Sequence, residues 1–265
     1  MRIFVALVGA GFRRYSTYRQ ATFAGIFTNT VFGFLICYVL LAVVRGRGGP
    51  VAGYHSDQLI TLVWINQGLL ATVGLWGDSG LADRIRSGDV VADLLRPLHP
   101  VLNYLGTDLG RAAFSLLTRF AVPMVVGAFA FTLYVPHRAA SYPLFVVSMT
   151  LATLLSFACR YLVQCTAFWL LDVRGPSVVW VLLAGVGGGL YFPIRFLPGW
   201  FVDVLWVGTP FPSLLQAPVD IIVERVGVAG QVELIGLQAL WAGLALYACV
   251  LVQRVAERKL VVQGG

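Results

Sequence analysis

The chain has 265 residues, of which 58% are hydrophobic and 12% charged, with a formal net charge of +7. A soluble domain carries roughly a quarter charged residues, and intrinsic disorder needs low hydrophobicity with high net charge. Both are excluded, which leaves a polytopic membrane protein of the all-α class. Its arginines are dispersed between apolar runs and form no basic stripe, so nucleic acid is not the expected partner; a cytoplasmic excess facing anionic membrane lipid accounts for the charge.

In chain order, Ile3, Phe4, Leu7, Val8, Phe12 and Tyr15 recur at helical spacing. Because Arg13, Arg14 and Arg19 follow where a signal cleavage site would sit, residues 1–20 read as an amphipathic interfacial helix. A bilayer crossing needs about 20 mostly apolar residues, and six stretches qualify: 21–44, 59–80, 111–135, 143–171, 178–192 and 232–253. The fifth is the shortest and holds Gly185, Gly187, Gly188 and Gly189 before Pro193. With the N-terminus inside, Arg2, Arg13, Arg14, Arg19, Arg84, Arg86, Arg96, Arg111, Arg174, Arg254, Arg258 and Lys259 flank the inner ends. Only Arg45, Arg47, Arg138, Arg195 and Arg225 flank the outer ends, so both termini are expected in the cytoplasm of a multi-pass cell-membrane protein.

Two arginines, Arg119 and Arg160, fall inside spans, where they either snorkel to headgroups or serve function. Asn66 and Gln67 lie near the middle of the second span and Gln164 in the fourth. Lipid cannot satisfy their amides, so they either bond between helices or line a pathway. Carboxylates are not expected within the spans. Small-residue pairs Gly106/Gly110 and Gly185/Gly189 permit close helix contact. Cys37, Cys159, Cys165 and Cys249 all sit in apolar runs and read as small hydrophobes.

Residues 81–110 form the most structured polar loop. Ser87 or Asp89 can cap a short helix that Pro97 stops, with Val90, Val91, Leu94 and Leu95 on one stripe and Asp89, Asp93 and Arg96 opposite. Two turns are too short to stand alone, so this helix either rests at the interface or docks a cytoplasmic partner. The outer segment 193–231 is cut by Pro193, Pro198, Pro210, Pro212 and Pro218 into short apolar pieces. They read as re-entrant or interfacial helices anchored by Trp200 and Trp206. The single lysine, Lys259, rules out Gly-x-x-x-x-Gly-Lys-Ser/Thr, so no phosphate-binding loop is present. The three histidines are scattered, and no metal or nucleophile motif appears; neither enzyme activity nor a resident cofactor is expected.

The strings "IRSGDVVADLLRPLHP" and "FPIRFLPGWFVDVL", together with the basic end closing on "QGG", resemble permeases of the ABC-2 type exporter superfamily, closest to the six-span membrane subunits of the daunorubicin-resistance type. The resemblance covers the whole chain as one transmembrane domain, 1–265. It implies half of a type V ABC transporter: two six-span permeases, identical or sister subunits, joined to separate ATP-binding subunits that carry ATP and magnesium. The family's coupling helix falls on residues 84–96. There Ile85, Val91, Leu94 and Leu95 would fill a cleft on the ATPase, with Arg86, Asp89, Asp93 and Arg96 around it. Residues 1–20 resemble the connecting helix, and 193–231 the re-entrant helices, though richer in proline and aromatic residues. Drugs, lipids and glycan precursors are the family's substrates. A membrane scaffold that docks a partner without moving substrate is the alternative.

Overall fold

The computed structural model describes residues 2–76, 80–95, 98–170 and 172–263, and the described residues are helical with no strand. The helices are α1 (Arg2–Ser16), α2 (Arg19–Arg47), α3 (Ser56–Leu69), α4 (Leu81–Ser87), α5 (Val90–Leu94) and α6 (Pro100–Ser115). They are followed by α7 (Ala121–Ala130), α8 (Ser141–Cys165), α9 (Arg174–Gly187), α10 (Gly199–Gly208), α11 (Gln216–Ile222) and α12 (Val228–Gln263). A π-helical turn, Leu70–Gly74, prolongs α3, and a second, Leu116–Phe120, joins α6 to α7. Pro123 explains the second turn, because its ring clashes with the carbonyl four residues earlier and it has no N–H to give.

Among the described residues, four helices are long and apolar enough to cross a membrane: Arg19–Arg47, Pro100–Ala130, Ser141–Phe168 and Val228–Ala256. They correspond to the first, third, fourth and sixth expected spans. The second expected span differs in kind. From Leu59 to Leu69 every residue of α3 is buried, Trp64 completely, and α3 is packed by α2, α7, α11 and both π turns. It stops at Gly74 rather than at residue 80. The fifth, α9, has 14 residues and reaches only about 21 Å at 1.5 Å per residue, less than the ~30 Å hydrocarbon core.

The apolar stripe of α1 is present, but it lies on a protein surface. Phe4, Leu7, Val8, Phe12 and Tyr15 are covered while Ile3 and Val5 are exposed, and α1 runs along α6. A Cβ on Gly11 would stand 2.2 Å from the Thr107 carbonyl oxygen, and one on Gly110 would stand 2.1 Å from that of Val8. These two glycines therefore set the crossing. Of the two small-residue pairs, Gly106/Gly110 meets a helix, whereas Gly189 turns away in a left-handed conformation at φ +81° beside Gln216.

Helices α8 and α12 pack along their length through a polar ladder that the spans' polar inventory does not anticipate. Ser148 Oγ donates to Gln238 Oε1 at 2.6 Å, Tyr161 Oη to Gln253 Oε1 at 2.7 Å, and Gln231 Nε2 to Ser141 Oγ at 3.1 Å. The seven-residue step from Gln231 to Gln238 keeps both on one helix face. Segment 193–231 is folded inward at its centre: all seven residues of α11 are buried, whereas Trp200 on α10 is 71% exposed.

Candidate docking site

The polar loop forms two short helices, where one was expected. Gly88, at φ +81°, separates α4 from α5, a left-handed turn that costs glycine little. The arrangement is fixed from below. Arg84 grips the Asp93 carboxylate with Nε at 2.5 Å and an Nη2 bond at 3.1 Å, and Tyr104 Oη donates to the same carboxylate at 2.9 Å. Asp93 raises the Arg84 guanidinium above its ordinary value. Gln164 Oε1 accepts from the Ala82 N–H at 3.2 Å, so α8 holds the start of α4.

This geometry redistributes the expected contact residues. Leu95 is 82% exposed and Val91 50%, and Arg86 and Asp89 are exposed beside them. Ile85 and Leu94 are half-buried, Ile85 against the cluster that contains Leu81 and Val90. Asp93 is 3% exposed and faces inward, contrary to the expected polar face, because Arg84 and Tyr104 satisfy it there. Val90 is buried too, so the outward apolar face is Val91 with Leu95. Arg96 and Pro97 lie outside the described residues.

The three candidate amides do not converge. Asn66 Nδ2 donates to the Gly189 carbonyl at 3.0 Å, and its Oδ1 is buried without a partner. Gln67 is buried, and its backbone carbonyl accepts from Asn29 Nδ2 at 2.9 Å. Gln164 belongs to the α4 anchor. Asn66 thus ties α3 to the turn after α9, and Gln164 ties α8 to α4.

Two buried polar clusters were not anticipated. Asp108, expected in a loop, lies on α6 inside the helix running Pro100–Ala130, because Pro100 starts that helix early. Its carboxylate pairs with Arg111 at 2.8 Å and with Arg160 at 2.8 Å. Arg111 also donates to the carbonyls of Ala71 at 2.6 Å and Thr72 at 3.2 Å. Arg160 is therefore 4% exposed and ion-paired rather than snorkelling, while Arg119 donates to the Ala21 carbonyl at 2.6 Å.

The second cluster ties the loop after α2 to α11. Tyr54 Oη donates to Asp220 Oδ1 at 2.5 Å, Gln216 Nε2 bonds the same oxygen at 2.7 Å, and Arg225 lies over the Tyr54 ring at 4.3 Å. Nearby, Glu224 accepts from Tyr134 Oη, Ser141 Oγ and the backbone N–H groups of His137 and Arg138 at 2.7–3.1 Å. Burial opposes its charge, but these four bonds outweigh it and hold the carboxyl down at about 2.

Comparison with known proteins finds one family: the profile described as "ABC-2 family transporter protein" matches residues 28–264. No curated protein and no solved structure matches the chain.

Proposed function

Since this chain belongs to the ABC-2 family of transporter proteins and is a multi-pass membrane permease, we propose that it is the membrane half of an ATP-driven exporter. Helices α3 and α9 complete six crossings, and both termini face the cytoplasm. ATP and magnesium reside on separate ATP-binding subunits, and a second six-span permease, identical or sister, completes the pathway. The substrate is hydrophobic or amphipathic: a drug, a lipid or a glycan precursor. Within the single domain 1–265, residues 1–20 and 81–110 form the cytoplasmic face and 193–231 caps the outer mouth.

The observation that carries the reading is the exposed pair Val91 and Leu95 on a short element whose other side is pinned by Arg84, Asp93, Tyr104 and Gln164. An exposed valine and leucine on an element too short to fold alone need a cover, and a pinned base transmits force where a loose loop would absorb it. Val91 and Leu95 enter the ATPase cleft, with the half-buried Ile85 and Leu94 behind them; Arg86, Asp89 and Arg96 rim it; and Asp93 positions the helix from within. When the ATPases close on ATP, α4 and α5 move as a body, and α3 and α6 re-pack to open an outward path. Asn66, Gln67 and Gln164 hold the spans that move.

The test is Leu95→Asp in the assembled transporter. A charge on an apolar anchor that docking would cover is expected to lower ATP-driven efflux at least about tenfold and to reduce co-purification of the ATPase. Efflux and co-purification equal to the unsubstituted protein would overturn the docking assignment. Co-purification of the unsubstituted chain with an ATPase but no efflux of any substrate would favour the scaffold.

A further inference from the structure

A cavity of about 400 Å³ opens where α1 passes into α2, walled by the π turn after α3 and by α6 with its own π turn. Two arginines line it, and each rests on a glycine. A Cβ on Gly74 would stand 2.5 Å from the Arg111 guanidinium, and one on Gly25 would stand 2.6 Å from Arg119 Cζ. Small residues at these points let both guanidinium groups lie against the helix backbones.

The two arginines differ in how far they are satisfied. Arg111 is 5% exposed, and its N–H groups reach Asp108, Ala71 and Thr72. Asp108 is already shared with Arg160. Arg119 makes one hydrogen bond, to the Ala21 carbonyl, and has no carboxylate partner among the described residues. A guanidinium has five N–H donors, so most of those on Arg119, which lines the cavity, have no partner among the described residues. A half-buried cation inside an apolar helix is costly without a counter-charge.

The rest of the lining says what kind of counter-charge fits. Tyr18 and Trp76 at the rim are 60% and 56% exposed, residue types that sit at headgroup depth. Leu70, Ala71 and Phe114 supply an apolar wall. We propose that this cavity binds the anionic headgroup of an amphipathic molecule, a phosphate-bearing lipid, with Arg119 as the recognising cation and Arg111 as its fixed neighbour. The headgroup oxygens accept from Arg119 while the chain lies along the apolar wall. The site stands on the cavity itself and does not depend on ATPase docking.

Native mass spectrometry of the full chain, released without any partner from neutral micelles holding equal phosphatidylglycerol and phosphatidylcholine, tests it. The unsubstituted protein is expected to retain one phosphatidylglycerol in preference to phosphatidylcholine. Arg119→Gln should weaken that binding at least about tenfold, while Arg119→Lys keeps the charge and retains most of it. Arg19→Gln removes the same charge from an exposed position outside the cavity and should change nothing. Retention by Arg119→Gln, equal loss in Arg19→Gln, or no preference for phosphatidylglycerol would each overturn the site. Inorganic phosphate binding as tightly as the lipid would overturn the amphipathic occupant.

Discussion

At Asp108 a single carboxylate serves two guanidinium groups, and all three side chains are under 10% exposed. A buried pair is weak evidence of net stabilisation, but removing one partner strands the others. Asp108→Asn would remove the carboxylate charge that Arg111 and Arg160 share, so it should cost about 3–5 kcal/mol, read as a lower denaturation midpoint of the purified chain in micelles. Adding Arg160→Gln to that variant should recover part of the loss, since the two sites share one interaction. Equal midpoints for all variants would show the triad to be idle. Glu224 allows a pH test at the other end of the molecule. Its folded value, about 2, lies below the ordinary 4.5, so folding favours its charged form. The stabilisation is present in full above 4.5 and drains as pH falls toward 2. Melting temperature should therefore decline more steeply across that window in the unsubstituted protein than in Glu224→Gln, and parallel curves would refute the assignment.

Between α1 and α6 the backbones come close enough that no Cβ fits at Gly11 or Gly110. A leucine at Gly110 has nowhere to go, because the obstacle is the Val8 carbonyl and not a movable side chain. Overpacking of this kind costs about 1–3 kcal/mol or more, and the cheapest relief is to lift α1 away. Arg13 and Arg14 are already exposed on α1, so Gly110→Leu should loosen the helix around them and speed tryptic cleavage there while the bundle stays folded, and an unchanged cleavage rate would contradict the tight crossing. The α1 stripe was readable because Phe4, Leu7, Val8, Phe12 and Tyr15 follow the helical period; its cover was not, since periodicity marks an apolar face without naming what meets it. The four long spans were readable from their apolar runs, though their ends were not. Asp93 could not be read inward, because Tyr104 lies eleven positions beyond it and Arg84 nine before it, across the left-handed turn at Gly88. Asp108 was misplaced because hydropathy starts the third span at its apolar run, whereas the helix starts at Pro100. The Gln231–Gln238 step carried a heptad signal that an inventory of single residues passes over.

Taken whole, the loops sort into two groups. Residues 51–54, 134–138 and 220–226 meet through Tyr54–Asp220, Arg225–Ala52 and Glu224–Arg138, while α4 and α5 meet α6 and α8 through Tyr104–Asp93 and Gln164–Ala82. Gathering at two ends is what alternate crossing requires, and it makes the roles of α3 and α9 decidable. If α3 crosses, Gly49 and Ser87 lie on opposite sides; if it is only re-entrant, they share one. If α9 crosses, Gly175 and Gly227 are likewise separated. A Cβ on Gly49, Gly175 or Gly227 meets no other group within 4 Å, and Ser87 is exposed, so cysteines are tolerated at all four. Of the native cysteines, Cys37, Cys165 and Cys249 are buried and Cys159 is partly covered, which leaves little background. In intact cells, a membrane-impermeant maleimide should label Gly49→Cys and Gly227→Cys at once, and Ser87→Cys and Gly175→Cys only after permeabilisation. Labelling of Ser87→Cys together with Gly49→Cys would remove α3 from the crossings. Labelling of Gly175→Cys together with Gly227→Cys would remove α9, whose 14 residues can span only where the bilayer thins or the ends of neighbouring helices shield it.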